Sequence, residues 1–350
     1  MGESSYISHM APRISICIPT YNGERYLAET LATACAQVGE DLEILISDDC
    51  SQDGTLRIAK EFSTRDVRIR ILENAKNLGL VGNWNQCILQ ARGEWIKFLF
   101  QDDLLSAEYL PAVRPWLDGT CSFIVNARKF QIEANTPESF AKLYDGLVSL
   151  REVAPSGGFL SPSDFCVMLA NFQAYNFVGE PSNTMFRKDV VLRVGLFHSR
   201  MHQIVDFEFW TRIAVSYGLV FLPSELSTFR VHNKSASAAH FGWSDFKTHR
   251  LDILILYSDF LTSPHYQNFR RTMNDLNLRQ ANFLSTFLKR IESDIQDSRN
   301  QGATHQDLLE HVFVPWAELC VQYPWLYAQV SQTIPGVAAQ LVRCMPGELS

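Results

Sequence analysis

RISICIPTYNGERYLAETLATACAQ, residues 13–37, reads as a β-strand feeding a helix: residues 13–19 form a β-branched apolar run closed by Pro19, and residues 24–37 carry apolar side chains at helical spacing. The same unit then repeats. LEILISDD (42–49) is a strand and GTLRIAKEFS (54–63) a helix; VRIRILE (67–73) is a strand and GNWNQCILQA (82–91) a helix; EWIKFLF (94–100) is a fourth strand that runs into QDD. Strands alternating with helices need crossover connections, so the pattern predicts an α/β fold with a mainly parallel central sheet covered on both faces.

Composition narrows the function. With 350 residues, 46% of them hydrophobic, the chain has material for one large domain plus an appendage, or for two domains. A net charge of −7 without a basic block argues against a nucleic-acid polymer as partner, while leaving a single nucleotide open. None of the 8 cysteines forms a C-x-x-C pair, which disfavours zinc and suggests reduced thiols and a cytoplasmic setting. No apolar run approaches the ~20 residues that span a bilayer, so any membrane contact is expected to be peripheral, at the inner face. The opening MGESSYISHM looks like a cloning remnant and is set aside from the fold.

Ligands of open parallel sheets bind at the carboxyl ends of the strands. Here each unusual polar cluster sits at such an end: PTYNGE (19–24) after the first strand, SDDCSQDGT (47–55) after the second, and QDD (101–103) after the fourth. Two adjacent acids, Asp102 and Asp103, repel unless a cation lies beside them. A diphosphate held by an acidic protein needs the same cation. All-oxygen ligands shared with phosphate suit Mg²⁺ or Mn²⁺.

ISICIPTYNGERYL, LEILISDDCSQDGT, NLGLVGNWNQCILQARGEWIKFLFQDD and VDFEFWTRIA resemble, in order and spacing, the inverting glycosyltransferases of family 2, which have the GT-A fold. The resemblance covers roughly residues 13–235, with 13–126 as the nucleotide-sugar half and 127–235 as the acceptor half; 236–350 reads as a helical region outside it. It implies a nucleotide-sugar donor of UDP or dTDP type, a divalent metal beneath the diphosphate, and a carboxylate base for a saccharide or lipid-linked saccharide acceptor in polysaccharide or glycolipid assembly.

Residue by residue, the resemblance assigns Pro19, Thr20, Tyr21, Glu24, Asp49, Asn83 and Asp102 to the nucleotide, with Asp49 reading the base, Asp102 at the donor ribose or in the metal shell, and Asp48 structural. Asp103 and His232 of FRVHNKS (229–235) are the expected metal ligands, with Arg230 or Lys234 beside the leaving group. Asp206 is the expected base and Glu180 of GEPSNTMF an acceptor contact. The chain departs from the family at three places: Phe100 replaces the first acid of Asp-x-Asp, Asn83-Trp84-Asn85 replaces Ala-Arg-Asn, and Val205 replaces the Glu before the base.

Blander readings accompany these. Asp53 fits an N-cap or Asx turn, Asn22 a cap, Trp84 plain core, and Glu208 with Arg212 a helix-stabilising i, i+4 pair. A nucleotidyltransferase would carry a Gly-rich, Lys- or Arg-bearing phosphate loop after the first strand, which PTYNGE is not; a non-catalytic sugar-nucleotide scaffold is the other alternative. REVAPSGGFLSPSD (151–164) reads as a long loop before a helix from Pro162. The aromatic-rich tail is expected to pack on the catalytic part or to form a dimer face.

Overall fold

A computed structural model describes residues 12–39, 41–144, 146–172, 175–235, 238, 250–277, 280–300 and 302–345. The four expected strands form as β1 (Ile14–Thr20), β2 (Leu42–Asp48), β3 (Ile69–Glu73) and β4 (Trp95–Phe98), joined by helices Leu27–Cys35, Thr55–Ser63 and Gly79–Gln90. β1 shows why the pattern folds this way. Ile14, Ile16 and Ile18 pack with Leu27 and Leu31 on one face, while Cys17 packs with Trp84 and Cys87 on the other. Side chains alternate across a strand, so a continuous apolar run covered on both faces belongs in a buried parallel sheet.

The remaining strands are β5 (Leu104–Leu105), β6 (Phe123–Ile132), β7 (Gly158–Leu160), β8 (Thr184–Arg187) and β9 (Leu219–Val231). The sheet runs β3-β2-β1-β4-β8-β6-β9-β5, with β7 also paired to β9. Only the run β3-β2-β1-β4 is uniformly parallel. β8 lies antiparallel between β4 and β6, and β5 and β7 run antiparallel to β9, so the sheet as a whole is mixed. The stretch expected as one loop before Pro162 contains β7. The positive φ of Gly157 and Gly158 lets the chain turn tightly against Pro223 and pair with β9. The helix Pro162–Asn171 follows, with Ser161 and Asp164 as a reciprocal capping box.

The described residues from 252 onward are mainly helical, including Asp252–Thr262, Gln267–Asp275 and Gln280–Asn300; the expected start of this region at 236 lies outside the described residues. Leu254, Phe260, Tyr266, Phe269 and Trp316 share one buried cluster with Phe165, Phe207, Trp210 and Ile213 of the sheet-bearing part. No helix among the described residues is long and apolar enough to cross a membrane, and all 8 cysteines are free thiols.

Candidate functional site

The three polar loops meet at the carboxyl ends of β1, β2 and β4. Gln101 clamps the first loop: the Tyr21 N–H donates to its Oε1 at 2.9 Å and its Nε2 donates to the Tyr21 carbonyl at 3.1 Å. A Cβ on Gly23 would lie 2.2 Å from Gln101 Oε1, so a larger residue there would displace the clamping amide. Asn22 takes a left-handed conformation (φ 47°), and its Oδ1 accepts the Gln52 N–H at 2.8 Å. Glu24 accepts the Gly54 N–H at 2.7 Å, and Asp53 accepts the N–H groups of Glu24 and Thr55, the turn role expected for it. Tyr21 is half exposed and Glu24 exposed, so both side chains face the rim.

Beneath this rim the floor is largely hydrogen-bonded. Asp48 accepts from Thr20 Oγ1 at 3.0 Å and from the Ser51 N–H and hydroxyl, which makes it structural. Asp49 Oδ1 accepts the Leu78 N–H at 2.8 Å and Asn74 Nδ2 at 3.0 Å. Asn83 donates to the Ser47 carbonyl at 3.0 Å and accepts from Ser47 Oγ at 2.7 Å and Asn74 Nδ2 at 3.1 Å. Its amide is buried and fully engaged, so the expected nucleotide contact at Asn83 is instead a clamp between β2 and the helix behind it. Pro19 and Thr20 are buried strand residues that present backbone to the rim.

The acidic pair divides by direction. Asp103 is fully buried, and its Oδ1 accepts the Arg230 N–H at 2.9 Å. Burial, reinforced by the charge of Asp102, pushes its carboxyl well above the usual range. Asp102 keeps a fifth of its side chain exposed and lies 3.0 Å from His232 Nε2, joining two strand ends 130 residues apart. The residue of the pair that reaches the rim beside His232 is therefore Asp102. Tyr26 packs on the His232 ring at 4.6 Å, and Arg230 lies over Tyr26 while pairing with Glu29 at 2.7 Å.

A buried lysine, unremarked in EWIKFLF, underlies the pair. Lys97 Nζ donates to the Ser182 carbonyl at 2.5 Å, and burial lowers its pKa to about 7 against the pull of Asp103. Ser182 Oγ accepts the Phe100 N–H at 3.0 Å. The turn 181–183 is thereby fixed to the end of β4, which brings Glu180 into the electrostatic field of Asp103.

Across that turn lies Asp206, in the first turn of the helix Val205–Tyr217. Its Oδ1 accepts the Phe207 N–H at 2.7 Å, and its Oδ2 has a long 3.4 Å contact from Asn176 Nδ2. Burial raises its pKa to about 7; the Phe207 N–H opposes this and the charge of Glu180 adds to it. Glu180 is paired with Arg128. Val205, where the family has Glu, is core. Glu208 and Arg212 form the expected i, i+4 pair, at 2.5 Å and wholly inside the protein, where Arg212 also donates to the Val194 and Leu196 carbonyls. Phe100 and Trp84, at two of the positions that depart from the family pattern, pack on each other with ring centroids 4.8 Å apart. Trp84 is core, and an aromatic pair stands where two charged groups were expected.

The family model for glycosyl transferase family 2 matches residues 15–191. The chain belongs to that family. MT1568 of Mycobacterium tuberculosis is 30% identical over 221 residues, spanning 63% of this chain and 67% of that protein. TarS of Staphylococcus aureus, a poly(ribitol-phosphate) β-N-acetylglucosaminyltransferase, is 30% identical over 109 residues, which cover 30% of this chain and 19% of TarS. The structure of TarS residues 1–349 with UDP-GlcNAc superposes with a TM-score of 0.57 at 16% identity, covering 96% of this chain and 93% of that one. A mannosyltransferase from Pyrobaculum calidifontis, in complex with GDP-Man and Mn²⁺, gives 0.54 at 16% identity, covering 96% and 86%. The expected GT-A architecture is borne out.

Proposed function

We propose that this family 2 glycosyltransferase moves a sugar, with inversion, from a nucleoside diphosphate donor of the UDP or dTDP type to an acceptor hydroxyl in the assembly of a surface polysaccharide or glycolipid. The observation that carries the reading is two unlike acid sites joined through the 181–183 turn, which is tied to the end of β4 and carries the Glu180 that acts on Asp206. Asp102, a fifth exposed, forms a carboxylate–imidazole pair with the buried His232 at the strand ends, and Asp206, across the 181–183 turn, is a buried acid whose pKa is raised to about 7. A group poised near neutrality is suited to take a proton from a hydroxyl in the transition state. The weakly held Oδ2 of Asp206 is the atom that would receive it, while the Phe207 N–H fixes the other oxygen.

Among the described residues no three His, Cys, Asp or Glu side chains converge as a metal cage. A two-residue site remains chemically suitable for Mn²⁺ or Mg²⁺, since such ions complete their shell with water and substrate phosphate. The hydrogen-bonded contact of 3.0 Å between Asp102 Oδ2 and His232 Nε2 sets a carboxylate oxygen and an imidazole nitrogen side by side, donor types that Mn²⁺ accepts. Asp102 and His232 would hold the ion, whose charge would offset that of the diphosphate. Tyr21 and Glu24 are the rim side chains placed to meet the nucleoside, and the free side of Asp49 the base.

The test is turnover. Purified protein with Mn²⁺ should hydrolyse or transfer from at least one nucleotide sugar, and Asp206→Asn should bind the nucleotide without transfer. Binding with no turnover by the wild type would favour the scaffold reading.

A further inference from the structure

A small cleft of about 220 Å³, open to solvent, lies between β6 and residues 146–152. It is below the ~300–1,000 Å³ of drug-sized sites, a size for a single sugar ring and not for a longer ligand. It exists because β6 and β9 fall out of register: Asn126 pairs with Leu222 but Ala127 with Glu225, so β9 loops out at Pro223 and the sheet opens there.

The cleft borders both halves of the candidate site. Beyond the bulge β6 and β9 are again paired in parallel, Arg128 opposite Ser227 and Phe130 opposite Phe229, and β9 ends one residue before His232. The opposite wall includes Val178, next to the Gly179 carbonyl that accepts from Asn176 Nδ2, the same amide that reaches Asp206. Arg128, a lining residue, pairs with Glu180, and both groups act on the charge of Asp206.

The lining has the chemistry of an uncharged polyol site. Phe130 and Tyr144 contribute aromatic surface, their centroids 5.2 Å apart, and Arg128 lies 4.9 Å over Phe130. Each cation has its own counter-ion: Arg128 has Glu180, and Arg151 has Glu225 at 2.7 Å. Glu152 is occupied by the Ser149 N–H and hydroxyl. An anionic ligand would meet no unbalanced positive charge, whereas a pyranose ring offers an apolar face for the aromatics and hydroxyls for the ion-paired groups.

We infer that this cleft binds an uncharged pyranose of the acceptor, adjoining the unit whose hydroxyl faces Asp206, and so selects an acceptor of at least two sugars. The inference rests on the functional reading above.

The experiment is a printed array of neutral and acidic mono- to tetrasaccharides, probed with labelled protein in the presence of UDP and Mn²⁺. Wild type should bind neutral di- or larger saccharides at least tenfold more strongly than monosaccharides. Leu147→Trp, which fills the cleft from a position 38% exposed, and Arg151→Met, at a half-exposed side chain, should each lower that signal at least tenfold. Leu192→Trp, 86% exposed and outside the cleft, is the control and should keep it. Binding of no neutral saccharide, binding of acidic ones alone, or an unchanged pattern in both cleft variants would overturn the inference. Calorimetric UDP binding with Mn²⁺ separates the two levels. If UDP binds and saccharides do not, only the cleft assignment falls; if UDP does not bind, the functional reading falls with it.

Discussion

Asp252 accepts the backbone N–H of Ile204 at 3.0 Å from 48 residues downstream, and the same carboxylate accepts the N–H groups of Gln203 at 2.6 Å and His202 at 2.9 Å. These three donors lie directly before the helix that opens with Val205 and Asp206, so a buried acid of the C-terminal helical region fixes the entry of the helix bearing the proposed base. Asp252→Ala leaves three part-buried N–H groups without this partner. It should cost about 3 kcal/mol or more in stability. Misplacing a reacting group by ~1 Å costs roughly 10²-fold in rate, so kcat for transfer should fall on that order while Kd for UDP stays near wild type. Urea melts, calorimetry and transfer assays check the three parts; Asp252→Asn, which keeps one acceptor oxygen, should fall between.

Transfer should depend on pH through Asp206. Its pKa is raised to about 7, so the carboxylate needed as base forms only as pH rises through that value, and kcat should climb between about pH 6 and 8. The sign for stability is opposite. An acid whose folded-state pKa is raised binds its proton more tightly folded than unfolded, so its contribution falls as pH rises from the unfolded pKa of ~3.9 toward about 7. Asp206→Asn should therefore melt higher than wild type at pH 8, by up to a few kcal/mol of stability, and show little gain at pH 4. Differential scanning calorimetry at both values reads this.

The acidic pair should behave asymmetrically. Asp102→Asn should abolish the Mn²⁺-dependent part of the UDP-induced rise in Tm, and EDTA should do the same to wild type. Asp103→Asn should retain that ligand response, because its carboxylate faces the Arg230 backbone inside the protein.

Glu208 and Arg212 should matter for folding and not for chemistry. Removing one partner of a buried ion pair typically costs ~3–5 kcal/mol, since the other charge is left uncompensated. Arg212→Met should lose that much by chemical denaturation while the folded fraction keeps its KM for donor.

The first four strands and their rim are legible in the sequence because local patterning dictates them: residues 14–20, buried on both faces, must read as an unbroken apolar run, and turn chemistry follows each strand. Within the rim, adjacency could not tell Asp102 from Asp103. The strand ends at Phe98, and the turn that follows sends the two side chains apart, a matter of backbone geometry that spacing does not encode. At Asn83, likewise, a structural amide and a ligand-binding amide look alike in sequence; in the fold Ser47 and Asn74 occupy it. Ser182 and Asp252 act on residues 82 and 48 positions away and left no local signal. Lys97 did leave one: a lysine inside an apolar strand has to find a partner, and that partner is the turn which carries Glu180 toward Asp206.

The most direct measurement is a crystal structure of the Asp206→Asn protein with an intact nucleotide sugar and Mn²⁺, with the ion located by its anomalous scattering. The expected result is manganese bonded to Asp102, His232 and the diphosphate oxygens, with the anomeric carbon turned toward residue 206. Manganese bound elsewhere, or a donor lodged away from the ends of β1, β2 and β4, would contradict the account.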